Sequence, residues 1–204
     1  MHKIGLTGGI CTGKTYVLGI LAELHCYTVR ADDIAKTIIF SGDREISGAI
    51  REVFGSSIFD GDRTIKKEEF SRTLFEDPEK RNFINHFIHP LVIRERNKIL
   101  DDLGKTSVYD FFIYESALLI EAGTYKDFEK IIVVYTSPEE QTGRLMRRDG
   151  IDEKEAEKKI KAQMPLTEKL RVAQYTIDTS GTFENARAKT LEVYHLLRKD
   201  FKMV

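Results

Sequence analysis

The stretch "GLTGGICTGKTYV", residues 5–17, constrains the chain more than any other. Gly8, four residues, then Gly13, Lys14 and Thr15 satisfy the pattern G-x-x-x-x-G-K-[ST], between an apolar run and an amphipathic one. Strand, glycine turn and helix in that order aim successive backbone N–H groups inward at a helix N-terminus, where the macrodipole favours an anion. In such a loop the lysine reaches β- and γ-phosphate oxygens and the Thr15 hydroxyl ligates Mg²⁺, so a nucleoside triphosphate is the expected ligand. The bland alternative is a glycine-rich turn with a solvated lysine, which does not account for the flanking strand and helix. Cys11 inside the loop reads as a small residue supplying backbone.

The rest of the chain supplies a sheet for that loop to stand on. Short apolar runs rich in β-branched and aromatic residues predict strands over 3–6, 27–30, 107–114, 130–136 and 175–177. Phe111, Phe112 and Tyr135 fall in these runs and read as core rather than as stacking platforms. Helical patterns separate the strands. "TYVLGILAEL" puts Val17, Leu18, Leu21 and Leu24 on one face; "TFENARAKTLEVYHLLRK" has Thr182 as N-cap and a stripe through Ala186, Leu191, Tyr194 and Leu197. Strands alternating with helices predict a parallel sheet covered on both faces, with its active crevice at the carboxyl ends of the strands. Two excursions are longer than a crossover needs: a mostly helical subdomain at about 31–104, and a charged helical pair at about 139–170, broken at Gly150 and bracketed by Pro138 and Pro165. The core is then about 1–30, 105–138 and 171–204, and the second excursion is a lid, mobile when empty and ordered over substrates.

Charge and cysteines narrow the class. Lys and Arg total 32 against 33 Asp and Glu, a formal net charge of −1, so no basic field points to nucleic acid. Cys11 and Cys26 show neither metal-ligand spacing nor a disulfide framework, which fits a reducing compartment. "MHKIGLTGG" turns to glycine before any signal-like apolar core, and no run approaches the roughly 20 apolar residues that span a bilayer. The expectation is a cytoplasmic protein with no membrane partner, a monomer or weak homo-oligomer. The N-K-x-D stretch of a GTPase is missing, a mechanical ATPase wants a larger assembly domain, and the two excursions suit a small-molecule kinase that closes over its acceptor.

Six blocks, "IGLTGGICTGKT", "VRADDIAK", "FIHP", "ESALLIEAG", "EEQTGRLMRRDG" and "IKAQMP…K…YTIDTSG", run in order along nearly the whole chain and together resemble the dephospho-CoA kinase family. The resemblance implies an α/β, P-loop NTPase three-layer fold with a five-stranded parallel sheet, an inserted helical acceptor-binding subdomain and a helical lid. It implies transfer of the γ-phosphate of ATP, the co-substrate, to the ribose 3′-hydroxyl of dephospho-CoA, the last step of coenzyme A synthesis, with Mg²⁺. Two other readings stay open. Arg30 and Ala117 depart from the family pattern, which keeps alive a P-loop kinase with a nucleoside or nucleotide acceptor. A non-catalytic nucleotide sensor is opposed by the intact Lys14, Thr15, Asp32 and Arg148.

Roles follow residue by residue. Asp32 comes after the second strand and matches the second acid of the family's D-A-D motif, so it is the expected base for the attacking hydroxyl; Arg30 stands at the first acid. Otherwise Asp32 or Asp33 caps the helix beginning "DIAK". "FFIYE" is a Walker B-like strand that leaves Glu115 near the metal, in contact through water, or else capping the next turn. Arg144 and Arg148 lie one turn apart on the same helix face, where guanidinium groups neutralise a transferring phosphoryl group, Arg148 in the catalytic role; Arg147 goes to the solvated side. By resemblance, Cys11, Thr12, Gly13, Lys14, Thr15, Tyr16, Arg144 and Thr179 bind ATP, Thr179 at an asparagine position so that backbone reads the adenine. Asp32, Arg81, His89 and Leu118 line the acceptor pocket, although a histidine beside proline is more often a turn or capping residue.

Overall fold

The computed structural model describes residues 1–105 and 108–203 and divides into two units, Met1–Val29 with Ser107–Val204, and Arg30–Thr106. The first unit opens with β1 (His2–Gly8), α1 (Lys14–Glu23) and β2 (Tyr27–Arg30). The second carries α2 (Ala31–Ile39), α3 (Arg44–Phe54), β3 (Phe59–Asp60), β4 (Thr64–Ile65), α4 (Lys67–Glu76) and α5 (Pro78–Gly104). The chain then returns with β5 (Phe111–Glu115), β6 (Lys130–Tyr135), α6 (Pro138–Asp149), α7 (Glu153–Lys161), α8 (Leu166–Arg171), β7 (Tyr175–Asp178) and α9 (Phe183–Asp200).

The main sheet is five-stranded and parallel, in the order β2-β5-β1-β6-β7. Leu6 of β1 stands between Glu115 of β5 and Ile132 of β6, and Gly8 is level with Val134. The carboxyl ends of these strands therefore share one edge, the place where a doubly covered sheet leaves its crevice. The inner strands β1, β5 and β6 are largely buried runs because both faces are covered, whereas the outer strands β2 and β7 are only partly buried. Ile4, Leu6, Phe111, Ile113, Ile132, Val134 and Ile177 are fully buried and pack with Val17 and Leu21 of α1 and Leu197 of α9. Removing each such side chain from water stabilises the fold by roughly 1.5–3 kcal/mol.

The strand expectations hold with shifted ends. β1 runs on through Thr7 and Gly8 because both pair with β6, and β7 gains Asp178, opposite Tyr135. The predicted start of the third strand at Ser107 lies outside the described residues; its regular pairing begins opposite His2, at Phe111. In α1, Ile20 joins the buried face while Leu24 is the C-cap and only half-buried. In α9 the Thr182 hydroxyl accepts from the Asn185 N–H, as an N-cap should, but the stripe runs through Ala186, Thr190, Val193, Tyr194 and Leu197. Leu191 is only half-buried, because five residues beyond Ala186 carries it about 140° round the helix.

The second unit has its own core. α2 packs along α5, and Phe54, Phe70, Ile84, Ile88 and Val92 are buried, with Phe54 stacked on Phe70 at 5.2 Å. Asp43 and Asp77 cap α3 and α5, each carboxylate accepting two backbone N–H groups. The two-residue strands β3 and β4 form an antiparallel hairpin, braced by Arg51, which donates to the carbonyls of Gly61 and Asp62 and lies 4.1 Å over the Phe59 ring. His89 and Pro90 sit inside the 27-residue α5, so the turn or capping alternative for His89 does not hold. Pro90 withdraws one N–H from the helix ladder, and the packing of α5 outweighs that loss.

Candidate active site

The loop between β1 and α1 is shaped by contacts that only glycine permits. A Cβ on Gly8 would lie 2.2 Å from the Val134 carbonyl oxygen, and one on Gly13, at φ +86°, would press on Thr179 at 3.2 Å. Cys11 takes φ +57°, a left-handed conformation unusual for a residue with a side chain. Burial pushes the Cys11 thiol above its ordinary range, while the charges of Arg148, Lys14 and Arg144 pull the other way; the thiol form suits a residue that contributes backbone. Lys14 curls back over the loop, its Nζ donating to the carbonyls of Gly8 (3.2 Å) and Gly9 (2.8 Å) and standing 4.0 Å from Glu115 Oε1. Both side chains are nearly buried, so this acid and cation meet at the strand edge with little screening. Thr12 is buried, its hydroxyl on the Gly9 carbonyl, whereas Thr15 is exposed at the start of α1.

A second cluster ties the loop to the far side of the sheet. Buried Thr179 donates its hydroxyl to the Thr12 carbonyl at 2.8 Å and accepts from Arg144 Nη1 at 3.1 Å. Arg144 Nη2 reaches both the Thr179 carbonyl and Glu140 Oε2 at 2.6 Å. Glu140 also accepts from the Thr136 hydroxyl and the Gly181 N–H. Cys11, Gly13, Tyr16, Arg144 and Thr179 together line a cavity of about 470 Å³, closed on one side by Phe183. Tyr16 holds that wall: its hydroxyl donates to the Phe183 carbonyl and the two rings meet edge to face at 4.9 Å. Arg147 is exposed, as expected for the solvated side, and also lines the rim of this cavity.

The remaining expected residues belong to elements of both units. Arg148 is about half exposed and is held by Asp149, which also pairs with Lys159; these hydrogen bonds bring the Asp149 pKa down to about 2. Leu118 is 44% exposed in the turn after β5. In the second unit, Asp32 occupies the first turn of α2, exposed, while its neighbour Asp33 stands 3.5 Å from Arg30. Neither aspartate caps α2, whose N-cap is Arg30. Arg81 is exposed in the first turn of α5, and His89 is half-buried further along it.

Four polar residues escaped the sequence reading although the quoted blocks contain them. Besides Glu140 they are Gln141, whose Nε2 donates to the Ile10 carbonyl, Gln163, whose Oε1 accepts from the Ile10 N–H, and Lys169. Fully buried Lys169 donates to the Ala117 carbonyl and pairs with Glu121, each at 2.7 Å. The family model for dephospho-CoA kinase matches residues 2–185. The chain belongs to the dephospho-CoA kinase family. It is 34% identical to a dephospho-CoA kinase of Aquifex aeolicus over 98% of this chain and all of the relative. It is 37% identical to one of Carboxydothermus hydrogenoformans over 93% of this chain and 91% of the relative. The structure of a dephospho-CoA kinase from Campylobacter jejuni shares the fold, with a TM-score of 0.72, 24% identity and coverage of 97% and 98% of the two chains. Among the described residues no helix is long and apolar enough to cross a membrane.

Proposed function

We propose that this protein transfers the γ-phosphate of ATP to the ribose 3′-hydroxyl of dephospho-CoA, giving coenzyme A and ADP. The carrying observation is an intact phosphate loop, Gly8 to Thr15, in a chain that matches the family over residues 2–185. The Thr12 and Tyr16 N–H groups already donate to the Gly9 and Gly13 carbonyls, so the N–H groups of Cys11, Gly13, Lys14 and Thr15 take the phosphates, and Lys14 leaves the loop carbonyls for the β/γ oxygens. Arg144, immobilised by Thr179 and Glu140, faces the nucleotide cavity, and backbone beside Thr179 reads the adenine. The 3′-oxygen attacks the γ-phosphorus as the bond to the β–γ bridging oxygen breaks; Asp32 accepts the hydroxyl proton and ADP departs. Supporting Asp32 over Asp33 is the Arg30 guanidinium, which engages Asp33. Arg148, held by Asp149 in the last turn of α6, turns to the phosphoryl group and neutralises its charge. Arg81, His89 and Leu118 take the acceptor.

The donor set suits Mg²⁺ in particular. The Thr15 hydroxyl in the first turn of α1 and the nearly buried Glu115 carboxylate at the end of β5 are hard oxygen donors, as suits an ion that keeps several waters and leans on phosphate oxygens. Thr15 would hold it directly and Glu115 through water. Bound there, the ion offsets charge on the β- and γ-phosphates. We place the enzyme in the cytoplasm as a monomer or weak homo-oligomer, a reading supported by two free thiols and near-zero net charge. A coupled ADP-release assay across dephospho-CoA, nucleosides and nucleoside monophosphates tests the acceptor. Turnover confined to dephospho-CoA is expected; turnover only with nucleosides or nucleotides would move the assignment to another P-loop kinase, and none with any acceptor would leave a nucleotide sensor.

A further inference from the structure

The Ile10 peptide, in the middle of the phosphate loop, is gripped from both sides by glutamines that the reaction scheme does not use. Gln141 Nε2 donates to its carbonyl and Gln163 Oε1 accepts from its N–H, each at 2.8 Å. Gln141 is buried in the first turns of α6 and half-buried Gln163 follows α7, so the excursion expected to be a lid mobile when empty is tied to the loop at these two residues. The polarity of the grip is forced, because a backbone N–H only donates and a carbonyl only accepts. Gly9 makes room for it: a Cβ there would stand 2.7 Å from Gln141 Nε2. The residue immediately after the gripped peptide is Cys11 at φ +57°, a conformation that persists only when its surroundings impose it.

We infer that Gln141 and Gln163 are positioning residues that clamp the Ile10 peptide and thereby hold the following loop N–H groups in the phosphate-binding arrangement before a nucleotide arrives. Neither amide group needs to touch the nucleotide, since both are engaged by Ile10. The clamp raises affinity by preorganisation: a loop already fixed loses less conformational freedom on binding. This inference rests on the reading of the loop as the ATP site.

The experiment is ADP binding by calorimetry, with steady-state kinetics for both substrates, on wild type, Gln141→Ala, Gln163→Ala, Gln141→Glu and Gln163→Glu. Each alanine variant is expected to weaken ADP binding about 3- to 10-fold, the worth of one net hydrogen bond, and to leave the acceptor KM within about 2-fold. The two glutamate variants add the same charge near the same loop, so the difference between them isolates polarity. The carboxylate introduced by Gln163→Glu can still accept from the Ile10 N–H, whereas Gln141→Glu sets a carboxylate against a carbonyl. Gln163→Glu should therefore bind ADP at least about 5-fold more tightly than Gln141→Glu. If Gln141 variants prove too unstable to purify, Gln163→Ala against Gln163→Glu carries the test, with partial recovery in the second expected. Wild-type affinity in the alanine variants, or equal affinity in the two glutamate variants, overturns the clamp alone. A wild type that does not bind ADP overturns the nucleotide reading itself.

Discussion

Lys169→Met should destabilise the protein by about 3 kcal/mol, since breaking a buried ion pair by removing one partner costs roughly 3–5 kcal/mol. Methionine keeps the length and the apolar stem of a side chain that is fully buried on α8, and deletes only the ammonium group. Two groups are left behind. Glu121 keeps some contact with water, at 21% side-chain exposure, which places its loss at the lower end of that range. The Ala117 carbonyl retains a hydroxyl from Thr7, but at 3.4 Å, too long to replace a 2.7 Å charged donor. For a chain of this size each kcal/mol moves the melting temperature by about 2–4 °C, so thermal unfolding should shift down by about 6–12 °C. A double-mutant cycle with Glu121→Leu checks the cause, because the pair should couple by at least about 1 kcal/mol. A loss below about 1 kcal/mol in the single variant, or additivity within about 0.5 kcal/mol in the cycle, would refute the reasoning. The turn carrying Leu118 hangs from the same carbonyl, so the KM for dephospho-CoA should rise in Lys169→Met.

Gly8→Ala should lose both nucleotide binding and stability, by about 3 kcal/mol or more, because its Cβ meets a backbone oxygen of β6 that cannot rotate away; calorimetry and a denaturant melt measure both. Asp32→Asn should retain ATP affinity and lose turnover by roughly 10²-fold, whereas Asp33→Asn, which only disturbs the Arg30 pair, should be mild; the opposite ranking would move the base to Asp33. The Asp149 pKa is depressed from 3.8 to about 2, so its contribution to stability is complete above pH 3.8 and is lost as pH falls through 2. Acid melts of wild type and Asp149→Asn should therefore converge toward pH 2, and a constant difference down to that pH would count against the Arg148 and Lys159 pairing.

What could be read from the residues was whatever is local. The phosphate loop needs only eight consecutive positions, and the buried parallel strands announce themselves as short apolar runs. What escaped was long-range or contrary to local rules. Gln141 and Gln163 reach Ile10 across 131 and 153 residues, separations that no hydrophobic period encodes. Strands of two residues, β3 and β4, fall below any pattern window. His89 and Pro90 look like a turn by propensity, yet 27 residues of α5 carry through them because packing against α2 outweighs one lost hydrogen bond.

The departure at Thr179 joins these two kinds of information. By resemblance the position belongs to the adenine site, where threonine in place of asparagine is expected to leave the base to backbone. In the structure the residue is 3% exposed, its hydroxyl faces the Thr12 and Tyr135 carbonyls as acceptors at 2.8 and 3.1 Å, and it accepts in turn from Arg144. A hydroxyl has one proton to give, so none is left for a purine edge. Its methyl and hydroxyl also fill the space beside Gly13, within 3.3 Å of where a Cβ would stand. Threonine here braces the loop and fixes the arginine, and Phe183 and Arg147 stand beside it in the cavity wall. Thr179→Val separates the two duties. It keeps the shape beside Gly13 but frees the Thr12 carbonyl and unhooks one Arg144 contact, so affinity for ATP and GTP should fall together, by about 3- to 10-fold. A selective loss of ATP binding alone would show that the hydroxyl reads the base after all.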